Sequence, residues 1–127
     1  MNIINSIKLE SRVISEITKI SQKKKFLVNS TLYYENQIPI AAYLLVEGCI
    51  HLLKNKKIKK ILKPGSLIGL NELIENSPSK ISAQVQADST LYFLDKSTLI
   101  ETLKLENSEI SIFLNQYSEF KTLGERT

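Results

Sequence analysis

With 127 residues, 43% of them hydrophobic, the chain is about one domain long and can bury a core without disulfide or metal staples. No apolar run approaches the roughly 20 residues of a membrane span, and Met1 to Glu10 lack the continuous apolar stretch of a secretory signal, so a soluble cytoplasmic domain is expected. A single cysteine, Cys49, and a single histidine, His51, exclude an internal disulfide and a Cys/His zinc cage. The net charge of +4 is unevenly divided: residues 1–64 carry 12 Lys+Arg against 4 acids, and residues 65–127 carry 5 against 9. Lys54, Lys56, Lys57, Lys59, Lys60 and Lys63 fall in one ten-residue window without an acid, and Lys23 to Lys25 form a second basic cluster.

In chain order, Ile3, Ile7, Ile14 and Ile17, widened by Ile4, Val13 and Ile20, predict an amphipathic helix over 3–20, within an N-terminal helical segment 1–22. From Phe26 to Leu94 the pattern changes to short runs rich in Ile, Val, Leu and Tyr, which predict strands at 25–28, 31–34, 42–46, 49–53, 57–62, 82–87 and 90–94. Glu47-Gly48, Lys54-Asn55-Lys56, Pro64-Gly65 and Asn76-Ser77-Pro78-Ser79 supply the turns. No stretch between strands is long enough for a helical crossover, so the unit 23–95 reads as a small antiparallel barrel or jelly roll. Beyond Asp95 the helical period returns, with Leu99, Ile100 and Leu103 on one short helix. A longer one carries Ile110, Phe113, Leu114, Tyr117, Phe120 and Leu123, within a helical segment 96–123. The expected whole is one mainly β domain over 1–127 with flanking helices.

Residues 63–83 fit neither a plain strand nor a plain hairpin. The chain leaves a strand through Pro64-Gly65, offers Gly69, makes about one helical turn over 70–74 and re-enters a strand at Ile81. A glycine leading into a short helix presents free backbone N–H groups, so the segment reads as a candidate phosphate cradle.

With its surroundings this stretch resembles the phosphate-binding cassette of the cyclic-nucleotide-binding domain found in bacterial catabolite-activator and FNR-type regulators. Residues 33–48 are similar to the opening hairpins of that family, Pro64-Gly65-Ser66-Leu67-Ile68-Gly69 to the approach to the cassette, and Ser82-Ala83 to its exit. Leu91-Tyr92-Phe93-Leu94-Asp95 is similar to the strand before the closing helices. The resemblance implies an eight-stranded jelly roll flanked by helices, with a cyclic nucleotide held by cassette amides, an acid after the cassette glycine and an arginine. Carried onto this chain, the candidate contacts are Gly69, Leu70, Asn71, Glu72, Lys80, Ser82 and Ala83. Two features depart from the pattern. Leu70 stands where the acid is expected, and the arginine position falls on Ile81 or, with one extra loop residue, on Lys80. Lysine is a point charge without the two-pronged donor set of arginine, and isoleucine donates nothing. Glu72 lies two positions along the helix, toward its opposite face.

The resemblance and the departures together imply a stand-alone regulatory or adaptor module that binds a protein partner and takes a non-standard ligand such as a cyclic dinucleotide, or none. An ordinary cyclic AMP or cyclic GMP sensor and a nucleic-acid binder working through 54–63 are the competing readings. The lysines read first as the solvated tip and edge of a hairpin, and, since no arginine or aromatic residue interleaves them, as a partner surface they favour an acidic protein over bases. The residues after Leu123 leave no room for a helix-turn-helix, and the stripe over 110–123 suits a homodimer contact. His51 reads as a packed or surface strand residue, Cys49 as an apolar filler, and Glu72 and Glu75 as solvated. No nucleophile, base and orienting group can be proposed together, so an enzyme is not expected.

Overall fold

The computed structural model describes residues 6–103. Two antiparallel sheets face each other. One has five strands in the order β1 (Ser6–Lys8), β7 (Ser66–Ile68), β4 (Ala41–Glu47), β9 (Ser89–Asp95) and β2 (Gln22–Phe26). The other has four, in the order β3 (Ser30–Tyr33), β8 (Ser82–Val85), β5 (Ile50–Lys54) and β6 (Lys57–Leu62). Strands β2 to β9 are the eight of the expected jelly roll, and β1 is added to the edge of β7.

Two cores follow from strand alternation. Ala41, Tyr43 and Leu45 of β4 face the space between the sheets with Tyr33, Ile50, Leu52, Ala83, Val85 and Leu91. Ala42 and Leu44 face outward and meet helices α1 (Ser11–Ile20), α2 (Leu70–Glu75) and α3 (Lys96–Leu103) through Val13, Ile17, Leu70, Leu73 and Leu99. Covered on both faces, β4 is apolar without alternation over residues 41–46, as a buried strand must be.

The N-terminal helix is shorter than its periodicity predicts. Residues 6–8 are a strand paired with β7, and the Leu9 N–H donates to the Gly65 carbonyl at 3.0 Å. Edge pairing with an available strand outweighs the helical spacing of the isoleucines there. Strand β2 begins at Gln22 and ends at Phe26, so the lysine cluster 23–25 lies within it and Leu27 and Val28 are exposed in the following turn. The short strand β7, between Gly65 and Gly69, has no counterpart among the predicted strands. Asp95 accepts the Thr98 N–H at 2.8 Å and so caps α3. That hydrogen bond, with the Thr98 side chain, holds its carboxyl below the usual range. Leu99 is buried as expected, whereas Ile100 is exposed. The longer predicted helix and its stripe at 110–123 lie outside the described residues.

Asn55 and Lys56 take φ values of 53° and 66° between β5 and β6, the left-handed pair that a type I′ hairpin demands. Strand β6 is the sheet edge, and Lys57, Lys59 and Lys60 are exposed on it, which discourages pairing with another chain.

Candidate functional site

The cassette is built as the sequence predicts: β7 ends at Ile68, Gly69 turns the chain, α2 follows, and β8 begins at Ser82. Gly69 has φ 81°, and a Cβ there would lie 3.0 Å from the Ala41 carbonyl oxygen, so both conformation and contact require glycine. The Leu73 N–H donates to the Gly69 carbonyl at 3.0 Å, and the Ser77 N–H to that of Glu72 at 3.0 Å. These close the short helix at both ends.

Leu70 and Leu73 point into the core shared with α1, while Asn71 and Glu72 are also buried. Glu72 is only 5% exposed, which corrects the expectation that it is solvated; Glu75 is exposed as expected. The physical reason is the helix's two-sided packing. With the leucines committed to the α1 side, the opposite face turns Glu72 toward Tyr33 on β3, whose hydroxyl feels its charge.

Around Tyr33 lies a polar cluster that the sequence reading missed. The Tyr33 and Tyr43 rings stack at 6.3 Å between centroids, 27° apart. Burial raises the Tyr33 pKa, the charge of Glu72 and the neighbouring Tyr43 raise it further, and a hydrogen bond with Ser79 opposes them. Burial likewise raises that of Tyr43. Ser79 donates from its hydroxyl to the Ile81 carbonyl at 2.7 Å and accepts the Ile81 N–H at 3.2 Å. Its N–H donates to the Gln37 carbonyl at 2.9 Å, and its carbonyl accepts the Asn36 N–H at 2.7 Å. The cassette's exit is thereby stitched to the loop between β3 and β4. The only sequence sign of this cluster was Tyr33's place in a strand.

The stability of the fold should register Tyr33 at alkaline pH. Above pH about 10 the unfolded chain releases a phenolic proton that the folded one keeps, so stability is fully present below that pH and falls as pH rises. Tyr33→Phe removes one such proton, and the fall in urea midpoint between pH about 10 and 12 should be shallower than in the parent. An unchanged slope would contradict the buried placement.

The candidate contacts do not converge on one place. Ile81 is 2% exposed and lies between the sheets with Ala83, whereas the preceding Lys80 is exposed. Ser82 and Gln84 alternate with them onto the outer face of the four-stranded sheet. There they line a surface cleft of about 400 Å³ with Tyr34, Glu35, Leu53 and Lys56. The Ser82 hydroxyl accepts the Glu35 N–H at 2.9 Å. Glu35 also accepts the Asn55 N–H at 2.7 Å and pairs with Lys54 at 3.6 Å, and Lys54 donates to the Lys80 carbonyl at 3.0 Å. Ser82 and Lys80 thus tie the cassette exit to the lysine hairpin, on the opposite side of the sheet from Glu72. His51 and Cys49 are half-buried on or beside β5. Among the described residues no group of three or more His, Cys, Asp or Glu could hold a metal ion, and no helix is long and apolar enough to cross a membrane.

A two-sheet roll interrupted by a glycine-led short helix is a jelly roll with a cassette inserted between β7 and β8. Residues 23–106 match the family model described as "Cyclic nucleotide-binding domain", and the chain belongs to that family. Among curated protein sequences nothing matches. Among solved structures, the fold is similar to the catabolite activator protein of Thermus thermophilus, with a TM-score of 0.69 at 18% identity over 93% of this chain and 55% of that one. The chain therefore spans about half the length of that regulator. It is also similar to the N-terminal domain of a transcriptional regulator from Streptomyces coelicolor, with a TM-score of 0.72 at 17% identity over 92% of this chain and 86% of that one. A third similar structure was described under a cyclic-GMP-dependent signalling pathway in bacterial phytopathogenesis, with a TM-score of 0.74 at 16% identity over 91% of this chain and 95% of that one.

Proposed function

We propose that this cyclic-nucleotide-binding domain is a regulatory module whose cassette is held shut by its own side chains, and that it acts through a protein partner rather than through a cyclic mononucleotide. One observation carries the reading: Tyr33, Tyr43 and Ile81 are buried between the sheets, and Glu72, whose charge acts on the Tyr33 hydroxyl, is buried beside them. A ligand entering there would have to separate Glu72, Tyr33 and Ser79, and each buried polar group left unmet costs about 1–3 kcal/mol. The residues best suited to meet a phosphate are already committed or absent. Ser82 serves Glu35, Ile81 replaces the arginine with an apolar side chain, and Leu70 replaces the acid. The exposed lysines of β6 supply a surface of one sign for an acidic partner.

The test is thermal unfolding in the presence of cyclic AMP, cyclic GMP, cyclic di-AMP and cyclic di-GMP. A ligand at 100 times its dissociation constant adds about 2.7 kcal/mol to folding stability. The expected result is no rise in Tm with either mononucleotide. A rise with cyclic AMP or cyclic GMP would overturn the closed cassette, and a rise confined to the dinucleotides would make the ligand a non-standard one.

A further inference from the structure

We propose that the seam between the two sheets, away from the cassette, is a binding site for a small apolar monocarboxylate. Strands β2 and β3 are the open edges of the five- and four-stranded sheets. Between them lies a cavity of about 250 Å³ walled by Phe26, Leu32, Ile40, Leu91 and Phe93. Its polar lining residues are Lys24, Thr31 and Tyr43, and no acid is among the described residues that line it.

Strand alternation decides what the basic cluster at 23–25 does here. Lys24 pairs in register with Leu91, which faces between the sheets, so Lys24 lies on the cavity side while Lys23 and Lys25 point to the other face. Its Nζ stands 5.0 Å from the centroid of the Phe26 ring, holding the cation over an aromatic wall of the cavity. An apolar groove with one cation and no acid among its described lining residues is complementary to an anion carried on an apolar body. A carboxylate can take a charge-assisted bond from Lys24. The volume, below the roughly 300–1,000 Å³ of drug-sized pockets, suits a body of a single ring or a short chain. Ile40, 77% exposed at the margin beside buried Ala41, offers apolar surface that such a ligand would cover.

The experiment is a titration of the ¹⁵N-labelled full chain with phenylacetate and hexanoate, each beside its uncharged amide, followed by amide chemical shifts. The expected result is saturable shifts at Lys24, Thr31, Leu32, Tyr43 and Phe93, with at least one acid binding below about 1 mM and its amide about tenfold more weakly. Lys24→Met, at an exposed position, should remove that preference, whereas Lys25→Met on the opposite face should keep it. The proposal is overturned by no saturable shift at about 10 mM of either acid. It is equally overturned by equal binding of acid and amide, by shifts centred on residues 69–82, or by equal losses in the two lysine variants.

Discussion

Gly48→Ala is expected to destabilise the domain by about 3–5 kcal/mol, lowering Tm by on the order of 10–20 °C. Gly48 closes the turn between β4 and β5 at φ 87°, where an L residue costs about 1–2 kcal/mol. The larger part is steric. A Cβ at this position would lie 2.1 Å from the Ser89 Oγ, 2.6 Å from its Cβ and 2.7 Å from its Cα, so the backbone of β9 itself must move. Ser89 is fully buried, and its hydroxyl accepts the Cys49 N–H at 3.1 Å and donates to the Cys49 carbonyl at 3.2 Å. Displacing it breaks the tie that holds the β4–β5 turn against β9, beside the register shift at Leu45/Glu47. Urea denaturation measures the loss directly, and a loss below about 1 kcal/mol would contradict the close approach.

The second large effect separates the two positions onto which the family's arginine could fall. Ile81→Arg is expected to cost about 3–5 kcal/mol, because it places a guanidinium between the sheets among Tyr33, Leu52 and Ala83. Lys80→Arg lies on the surface and should change stability by no more than about 0.5 kcal/mol. Neither variant is expected to gain affinity for cyclic AMP. The arginine pattern therefore cannot be restored by one substitution, since the inward position is part of the core and the charged one faces outward. A stable Ile81→Arg variant that binds cyclic AMP would show that the space between the sheets opens to a ligand.

Much of the roll was legible because its turns carry explicit chemistry. Glu47-Gly48 and Lys54-Asn55-Lys56 mark two hairpins whose left-handed residues the structure reproduces at Gly48, Asn55 and Lys56. The cassette helix was visible from Gly69 and the apolar pair Leu70 and Leu73. Strand β1 was hidden because Ile3, Ile4 and Ile7 satisfy a helical period, while the pairing that decides the matter is with residues 66–68, far along the chain. The burial of Glu72 was hidden for a related reason: a carboxylate on a short helix reads as solvated until Tyr33 and Ser79 are brought over it from elsewhere in the fold. Ser82 was legible as a strand residue, but its outward direction follows from Ile81 and Ala83 being claimed by the core.

The closed cassette is tested most directly by titrating the ¹⁵N-labelled chain with cyclic AMP and following the amides of Gly69 to Glu72 and Lys80 to Ala83. The account predicts no saturable shift at these positions up to about 1 mM nucleotide. Saturable shifts there, accompanied by movement of the Tyr33 and Tyr43 ring signals, would contradict it.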